Sequence, residues 1–324
     1  MTKTMNRTAR NIETPNTESL FYMLQTMRPG GSATEEAFIK RWIEPLGTES
    51  DGYGNQVIRI GDSPVMWSCH TDTVHLSEGS QKIKVANGWI GLHPKERRAS
   101  CLGADCTAGV WLMREMILAR CPGLYVFHRE EESGGHGSQW IADNNPGLVA
   151  GIVACIALDR KGTDSVITHQ YGGRCASDAF AASMGKQFKG FKSDDSGSFT
   201  DSANYTHLIP ECTNLSVGYE GAHSESERLN LSHLLALRDQ LLRFDIGRVR
   251  IQREPVAKVK ASPRGNNGAW NVWDDMESDW DRSKNRVARN VREFCQLYPD
   301  EVADLLAQYG IGVNELYESS PWLE

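Results

Sequence analysis

The sequence has no apolar run near the roughly 20 residues that a membrane-spanning helix needs. Its first sixteen residues are polar and hold no apolar centre of the kind a secretory signal requires. These absences place the expected location in the cytoplasm. None of the eight cysteines forms a Cys-x-x-Cys pair, which removes the usual thiolate zinc and redox signatures and leaves reduced thiols as the simplest reading. There is no excess of positive charge either. The net charge is −7, and the imbalance sits at one end: residues 271–324 hold 12 acids against 5 bases, whereas residues 1–270 balance at 30 each. Nothing in that distribution attracts a nucleic acid or an anionic membrane, and neither is expected as a partner. No internal repeat is present.

What is present is an ordinary globular mixture, with 40% hydrophobic and 24% charged residues over a length of 324. Residues 17–27 have amphipathic helical spacing, and Ser32-Ala-Thr-Glu35 is a capping-box pattern opening a helix through Trp42. Asp51-Gly-Tyr-Gly-Asn55 is turn chemistry, followed by strand-like segments at 56–60 and 65–69. Helical spacing at 106–118, an apolar strand at 124–127, a helix at 136–143 and a buried strand at 152–158 continue the alternation. A strand at 214–217 and an amphipathic helix at 231–242 complete it. Strands alternating with helices predict an α/β fold, in three α/β/α layers around a mostly parallel sheet, whose ligands sit beyond the carboxyl ends of the strands. The expected division is a catalytic domain at 1–247, a Gly-, Asn- and Trp-rich linker at 248–284, and an acidic tail at 285–324 with short helices at 287–298 and 300–309.

Five polar clusters interrupt the apolar pattern, each just after a predicted strand or at a turn opening a helix. Cys69-His70-Thr71-Asp72 offers an imidazole with a carboxylate placed to accept its second N–H, an arrangement that suits a metal ligand and equally a satisfied core pair. Asp105 lies in Leu102-Gly-Ala-Asp105-Cys106-Thr-Ala-Gly109, where it serves either as an N-cap or as a carboxylate with two oxygens free to bridge cations. Glu130-Glu131-Glu132-Ser-Gly-Gly puts three like charges together. That is a solvated acidic turn unless cations offset the repulsion. Asp159 ends an apolar strand, and His223 follows another in Leu215-Ser-Val-Gly-Tyr-Glu-Gly-Ala-His223-Ser-Glu-Ser-Glu227.

Taken in order, these clusters resemble the zinc-dependent exopeptidases of the co-catalytic dizinc aminopeptidase and carboxypeptidase superfamily. The pattern is H-x-D, then G-x-D, then E-E-x-G, then a strand-terminal acid, then a late histidine, over residues 17–240. The resemblance implies the phosphorylase/hydrolase-like zinc exopeptidase fold and two Zn2+ ions, with Co2+ or Mn2+ as alternatives. It implies that His70 and Asp159 hold one ion, Glu132 and His223 the other, and that Asp105 bridges them. Asp72 would support His70 from behind. Glu131 would be the general base, because Glu131-Glu132-Ser133-Gly134 fits the motif and Glu130-Glu131 does not. A cis peptide after Asp105 is also carried over. Where many relatives have Asp or Met after that aspartate, this chain has Cys106.

Relatives with a dimerisation lid carry it as a large insertion before the final histidine. Here 63 residues separate Asp159 from His223, which favours the lidless, aminopeptidase-like branch. The expected substrate is a peptide or an acylated amino acid, cut at an amide bond. An N-acyl-amino-acid deacylase is the alternative within the same chemistry, and an inactive binding module on the same scaffold is the alternative outside it. Tyr219 is a candidate for steadying the oxyanion. Asp194, Asp195 and Asp201, in the polar stretch 188–205, are candidates for the pocket rim or members of a flexible loop.

Overall fold

A computed structural model describes residues 15–171 and 173–255. The expected linker and tail therefore lie, from residue 256 onward, outside the described residues, as do both expected tail helices. In chain order the elements that position the site are α1 (Thr17–Leu24), α2 (Ala33–Trp42), β1 (Glu49–Ser50), β2 (Gln56–Ile60), β3 (Val65–His70), β4 (Ile83–Ala86) and β5 (Trp89–Leu92). They continue with α3 (Ala104–Leu118), β6 (Gly123–His128), α4 (His136–Asn144), β7 (Ala154–Arg160), β8 (Ser165–Ile167), α5 (Asp178–Gly185) and β9 (Lys192–Asp194). The last are β10 (Glu211–Ser216), β11 (Tyr219–Glu220), β12 (Arg228–Asn230) and α6 (Leu231–Leu241).

The main sheet has eight strands in the order β9-β8-β10-β7-β3-β6-β2-β1. Its four central strands, β10, β7, β3 and β6, are mutually parallel, and antiparallel pairings flank them on both sides. Strands β3, β6 and β10 are buried along their whole length. Alternation along each strand divides the interior into two cores. Val65, Trp67 and Cys69 of β3, Tyr125 and Phe127 of β6, and Ala154, Ile156 and Leu158 of β7 join one core with α1, α3, α5 and α6. Met66, Leu124, Val126 and Cys155 point the other way and meet Ile141 and Ala142 of α4. Burial on both faces is what makes β3, β6 and β7 read as continuous apolar runs, and it gives the three α/β/α layers expected from the sequence. Helix α3 lies directly on β7 because residue 109 is glycine: a Cβ there would stand 2.1 Å from the Leu158 carbonyl oxygen.

Several boundaries differ from the sequence reading. Helix α1 stops at Leu24 rather than running to residue 27, because Thr26 and Met27 pair antiparallel with Ser80 and Gly79. The capping box is half formed. Ser32 accepts from Glu35 N at 3.1 Å, but the Glu35 carboxylate accepts from Gly31 N at 2.7 Å and turns inward to Thr71 and Arg129. The strand expected at 152–158 is shifted to β7, and the one expected at 214–217 begins earlier, at Glu211. Residues Glu211 and Thr213 lie buried in β10, bonded to Ser177 N and the Ile167 carbonyl, so the strand is not an apolar run.

The sequence reading missed a second, four-stranded antiparallel sheet in the order β11-β12-β5-β4. It ties residues 83–92 to 219–230, and the loop between β11 and β12 carries His223.

Candidate active site

Since β3, β6, β7 and β10 run parallel, their carboxyl ends open on one edge of the sheet, and four of the five polar clusters lie at or beyond those ends. The fifth, Asp105, comes from the start of α3, where Asp105 and Cys106 have non-helical backbone angles and are joined by a cis peptide bond, as the resemblance implied.

All five expected ligand residues converge. The Nε2 of His70 lies 3.1 Å from Asp105 Oδ1 and 3.4 Å from Asp159 Oδ1. On the other side, His223 Nε2 lies 3.4 Å from Asp105 Oδ2 and 3.2 Å from Glu132 Oε2. Asp105 thus turns one oxygen to each histidine. The ligand-type atoms of Asp105, Glu132 and His223 lie within 4.8 Å of one another, as do those of His70, Glu131 and Glu132. His70 Nδ1 faces the Asp72 carbonyl oxygen at 3.1 Å and its carboxylate at 3.3 Å. A proton on Nδ1 satisfies those acceptors and leaves the Nε2 lone pair aimed at Asp105 and Asp159.

The cluster has too much negative charge to stand on its own bonds. Among the described residues, no Lys or Arg pairs with Asp72, Asp105, Glu131, Glu132 or Asp159, and no donor reaches the buried atoms Glu132 Oε1 and Asp159 Oδ1. Burial drives Glu131 well above the usual carboxylate range, with the charges of Asp159, Asp201 and Glu132 adding to the effect of desolvation. Burial, helped by the Asp105 charge, lifts Asp159 to about 7. Asp105 goes the other way: burial would raise it, but hydrogen bonds to His223 and His70 hold it low. His223 is pushed up to about 11 by hydrogen bonds to Asp105 and Glu132. Divalent cations among these atoms would replace the shared protons and leave the carboxylates ionised and the imidazoles neutral. The oxygen and nitrogen donor set and the orphaned carboxylate oxygens fit such ions.

Glu130 is held apart from this cluster. Its φ of +58° turns it aside, and its carboxylate accepts from Tyr53 Oη at 2.5 Å. His223 also has positive φ, +63°, and its side chain is 51% exposed at the mouth of the site. Non-glycine residues in the left-handed region are uncommon, and here two of them flank one cluster.

No protein-family model matches the sequence, and no curated protein matches it. Solved structures do. An aminopeptidase PepT from Bacillus cereus superposes with a TM-score of 0.57 at 13% identity, covering 70% of this chain and 96% of that one. A tripeptidase from Staphylococcus aureus gives 0.53 at 16% identity, covering 70% and 95%. The TET1 peptidase of Pyrococcus horikoshii, which can assemble into a tetrahedron or a large octahedral shell, gives 0.52 at 14%, covering 70% and 98%. The chain has the fold of these peptidases.

Within that peptidase fold, several supporting residues escaped the sequence reading. Glu227 accepts from Gly103 N at 2.8 Å and from Asp105 N at 3.0 Å, fixing the turn that presents Asp105. Burial, with the Asp105 charge, raises it to about 7. Thr200 Oγ1 donates to Asp159 Oδ2 at 2.7 Å, and Asn214 Oδ1 accepts from Asp159 N at 3.0 Å. The Ser-Glu-Ser-Glu227 run was visible in the sequence, but only the distance in space to Gly103 gives it a task.

Other expectations are corrected. Tyr219 is buried, and its hydroxyl proton is shared between the Asp159 carbonyl at 2.6 Å and Asp105 Oδ2 at 3.0 Å, so it braces these two aspartates rather than waiting for an oxyanion. The acids of 188–205 do not form one flexible loop. Asp201 is fully buried 3.2 Å from His128 Nδ1, and Asp194, in β9, bonds Ser165 and Ser196.

Proposed function

We propose that this chain is a metal-dependent peptidase acting on free amino termini, with two divalent cations, zinc foremost, held by His70, Asp105, Glu132, Asp159 and His223. The observation that carries the reading is Asp105, one oxygen toward His70 and the other toward His223. A single carboxylate divided between two ligand groups is what a pair of adjacent cations requires. When bound, such ions polarise an amide carbonyl and lower the pKa of a water between them.

The protein residues supply the rest. Glu131, which burial alone would keep protonated, would be ionised once cations offset the surrounding negative charge, and could then take the proton of the attacking water and return it to the departing amine. Its carboxylate stands among His70 and Glu132 atoms within 4.8 Å, where such a transfer has to occur. Asp72 fixes the His70 tautomer, while Glu227, Thr200 and Tyr219 hold Asp105 and Asp159 in place. The half-exposed His223 leaves the mouth open to a chain end.

The test is chelation and reloading. Protein stripped of metal should neither cleave peptides nor hold zinc, and two equivalents of Zn2+ should restore both, with Asp105→Ala binding neither equivalent tightly. Full peptide cleavage by chelated, metal-free protein would overturn the reading.

A further inference from the structure

The hairpin in which His169–Gln170 pair with Gly173–Arg174 brings Tyr171 to the edge of the site. Tyr171 is 50% exposed, has a φ of +50°, and donates its backbone N–H to the Ser198 carbonyl at 2.9 Å. Its ring packs against Phe199, with centroids 5.1 Å apart and planes tilted by 32°. The positive φ belongs to the two-residue turn between the paired residues Gln170 and Gly173, so the backbone is accounted for by the hairpin and the half-exposed ring is what remains to be explained.

Phe199 is anchored to the site from two directions. Its ring sits over the glycine turn that follows Glu132: a Cβ on Gly135 would come within 2.4 Å of Phe199 Cζ. Gly135 in turn donates its N–H to the Glu131 carbonyl at 3.0 Å. The next residue along the chain, Thr200, holds Asp159. Phe199 therefore stands between the Glu131 loop and Asp159, and Tyr171 extends its ring surface outward to solvent. The Tyr171 hydroxyl is raised by burial and also by the charge of Glu131, in agreement with that placement.

We infer that Tyr171 and Phe199 form one wall of the substrate pocket and select peptides with a large apolar side chain beside the scissile bond. The inference rests on the peptidase reading above and names its substrate class. An apolar side chain laid on this pair covers ring surface that is otherwise wet. An acidic side chain would instead be brought toward a site already crowded with carboxylates. The discrimination available from such a wall is of the order of 10- to 200-fold per methylene-sized difference at best.

The experiment measures kcat/KM of the zinc-loaded enzyme on two dipeptide series, X-Ala and Ala-X, with X as Phe, Leu, Gly, Lys or Asp. The wild type should favour Phe and Leu over Gly, Lys and Asp by about tenfold or more in one series. Tyr171→Ala should lower kcat/KM for the Phe and Leu members about tenfold more than for the Gly member, mainly through KM, with unchanged zinc content. Tyr171→Phe should keep the preference. A wild type that favours Lys or Asp, or a Tyr171→Ala enzyme with full zinc and an unaltered preference, would overturn the inference and leave the peptidase reading standing. Zinc-loaded wild type that cleaves neither series would remove both.

Discussion

Asp72 holds Glu131 by its backbone: the carboxylate accepts the Glu131 N–H at Oδ1 and the Glu132 N–H at Oδ2, each at 3.2 Å, while it faces His70 Nδ1 at 3.3 Å. One buried side chain thereby sets the imidazole of one polar cluster and the main chain of another. Burial would raise its pKa, but the bonds to His70 and to backbone amides hold it below the usual carboxylate range.

Asp72→Asn should therefore damage metal binding although it removes no ligand. An amide offers a single acceptor oxygen where the carboxylate offers two, so one of the two N–H groups loses its partner, and the His70 Nδ1 proton is left with the Asp72 backbone carbonyl alone. Loss of such support typically costs 10- to 100-fold in metal affinity or activity. Zinc titration with a competing chelator measures it, and wild-type affinity in the variant would contradict the role.

Glu131→Gln should keep both metal equivalents and lose about 10²–10⁴-fold in kcat, the usual worth of a positioned proton carrier. Glu130→Gln should stay within a few-fold of wild type, since Glu130 is turned away to Tyr53. The opposite pattern would move the motif by one residue and make Glu130 the base.

How far the site could be read in the sequence depends on the distance between partners. The five converging residues proposed as ligands were legible because each follows a strand end or helix start whose apolar flank is contiguous in sequence, as with Cys69 before His70 and Leu158 before Asp159. The braces were not, because Glu227 meets Gly103, and Thr200 meets Asp159, only after the sheet has formed. Of the central strands, β3, β6 and β7 were likewise legible as apolar runs, whereas β10, which buries Glu211 and Thr213, was legible only in its second half. The small sheet was not legible, because its strands are short and half-exposed: Lys84, Val85 and Ala86 lie open in β4. Asp201 was misread for a related reason. A serine-rich neighbourhood has the composition of a loop, and only the packing of His128 and Tyr205 takes that carboxylate out of water.

Glu227→Gln should unsettle the Asp105 turn. Both carboxylate oxygens accept backbone N–H groups, and an amide can accept with only one. A buried N–H left without a partner costs about 1–3 kcal/mol. The melting temperature of the zinc-free protein should fall, and zinc should bind more weakly. An unchanged melting temperature and affinity would remove Glu227 from the account.

His75 makes stability depend on pH. It is buried, with Nδ1 against Thr73 Oγ1 at 2.7 Å and Nε2 against Gln81 Oε1 and the Cys101 carbonyl, each at 3.0 Å, a set of partners that suits the neutral ring. Burial, and then the charge of Arg28, lowers its pKa from 6.5 to about 4. The unfolded chain takes up this proton first as pH falls. The stabilisation is thus complete above pH 6.5 and is lost progressively between 6.5 and about 4, by about 3 kcal/mol in all. Denaturant titrations from pH 8 to 4 should show that His75→Gln lacks this portion of the decline. Parallel curves for the two proteins would contradict it.

The central claim is metal-dependent cleavage from free amino termini. Its most direct test is mass spectrometry of a mixed peptide pool, half with free and half with acetylated amino termini, incubated with zinc-loaded protein beside a chelated control. The account predicts stepwise loss of single residues from the free peptides alone, and only where zinc is present. An untouched free pool beside zinc-bound protein, or removal of acetyl groups in place of residues, would contradict it.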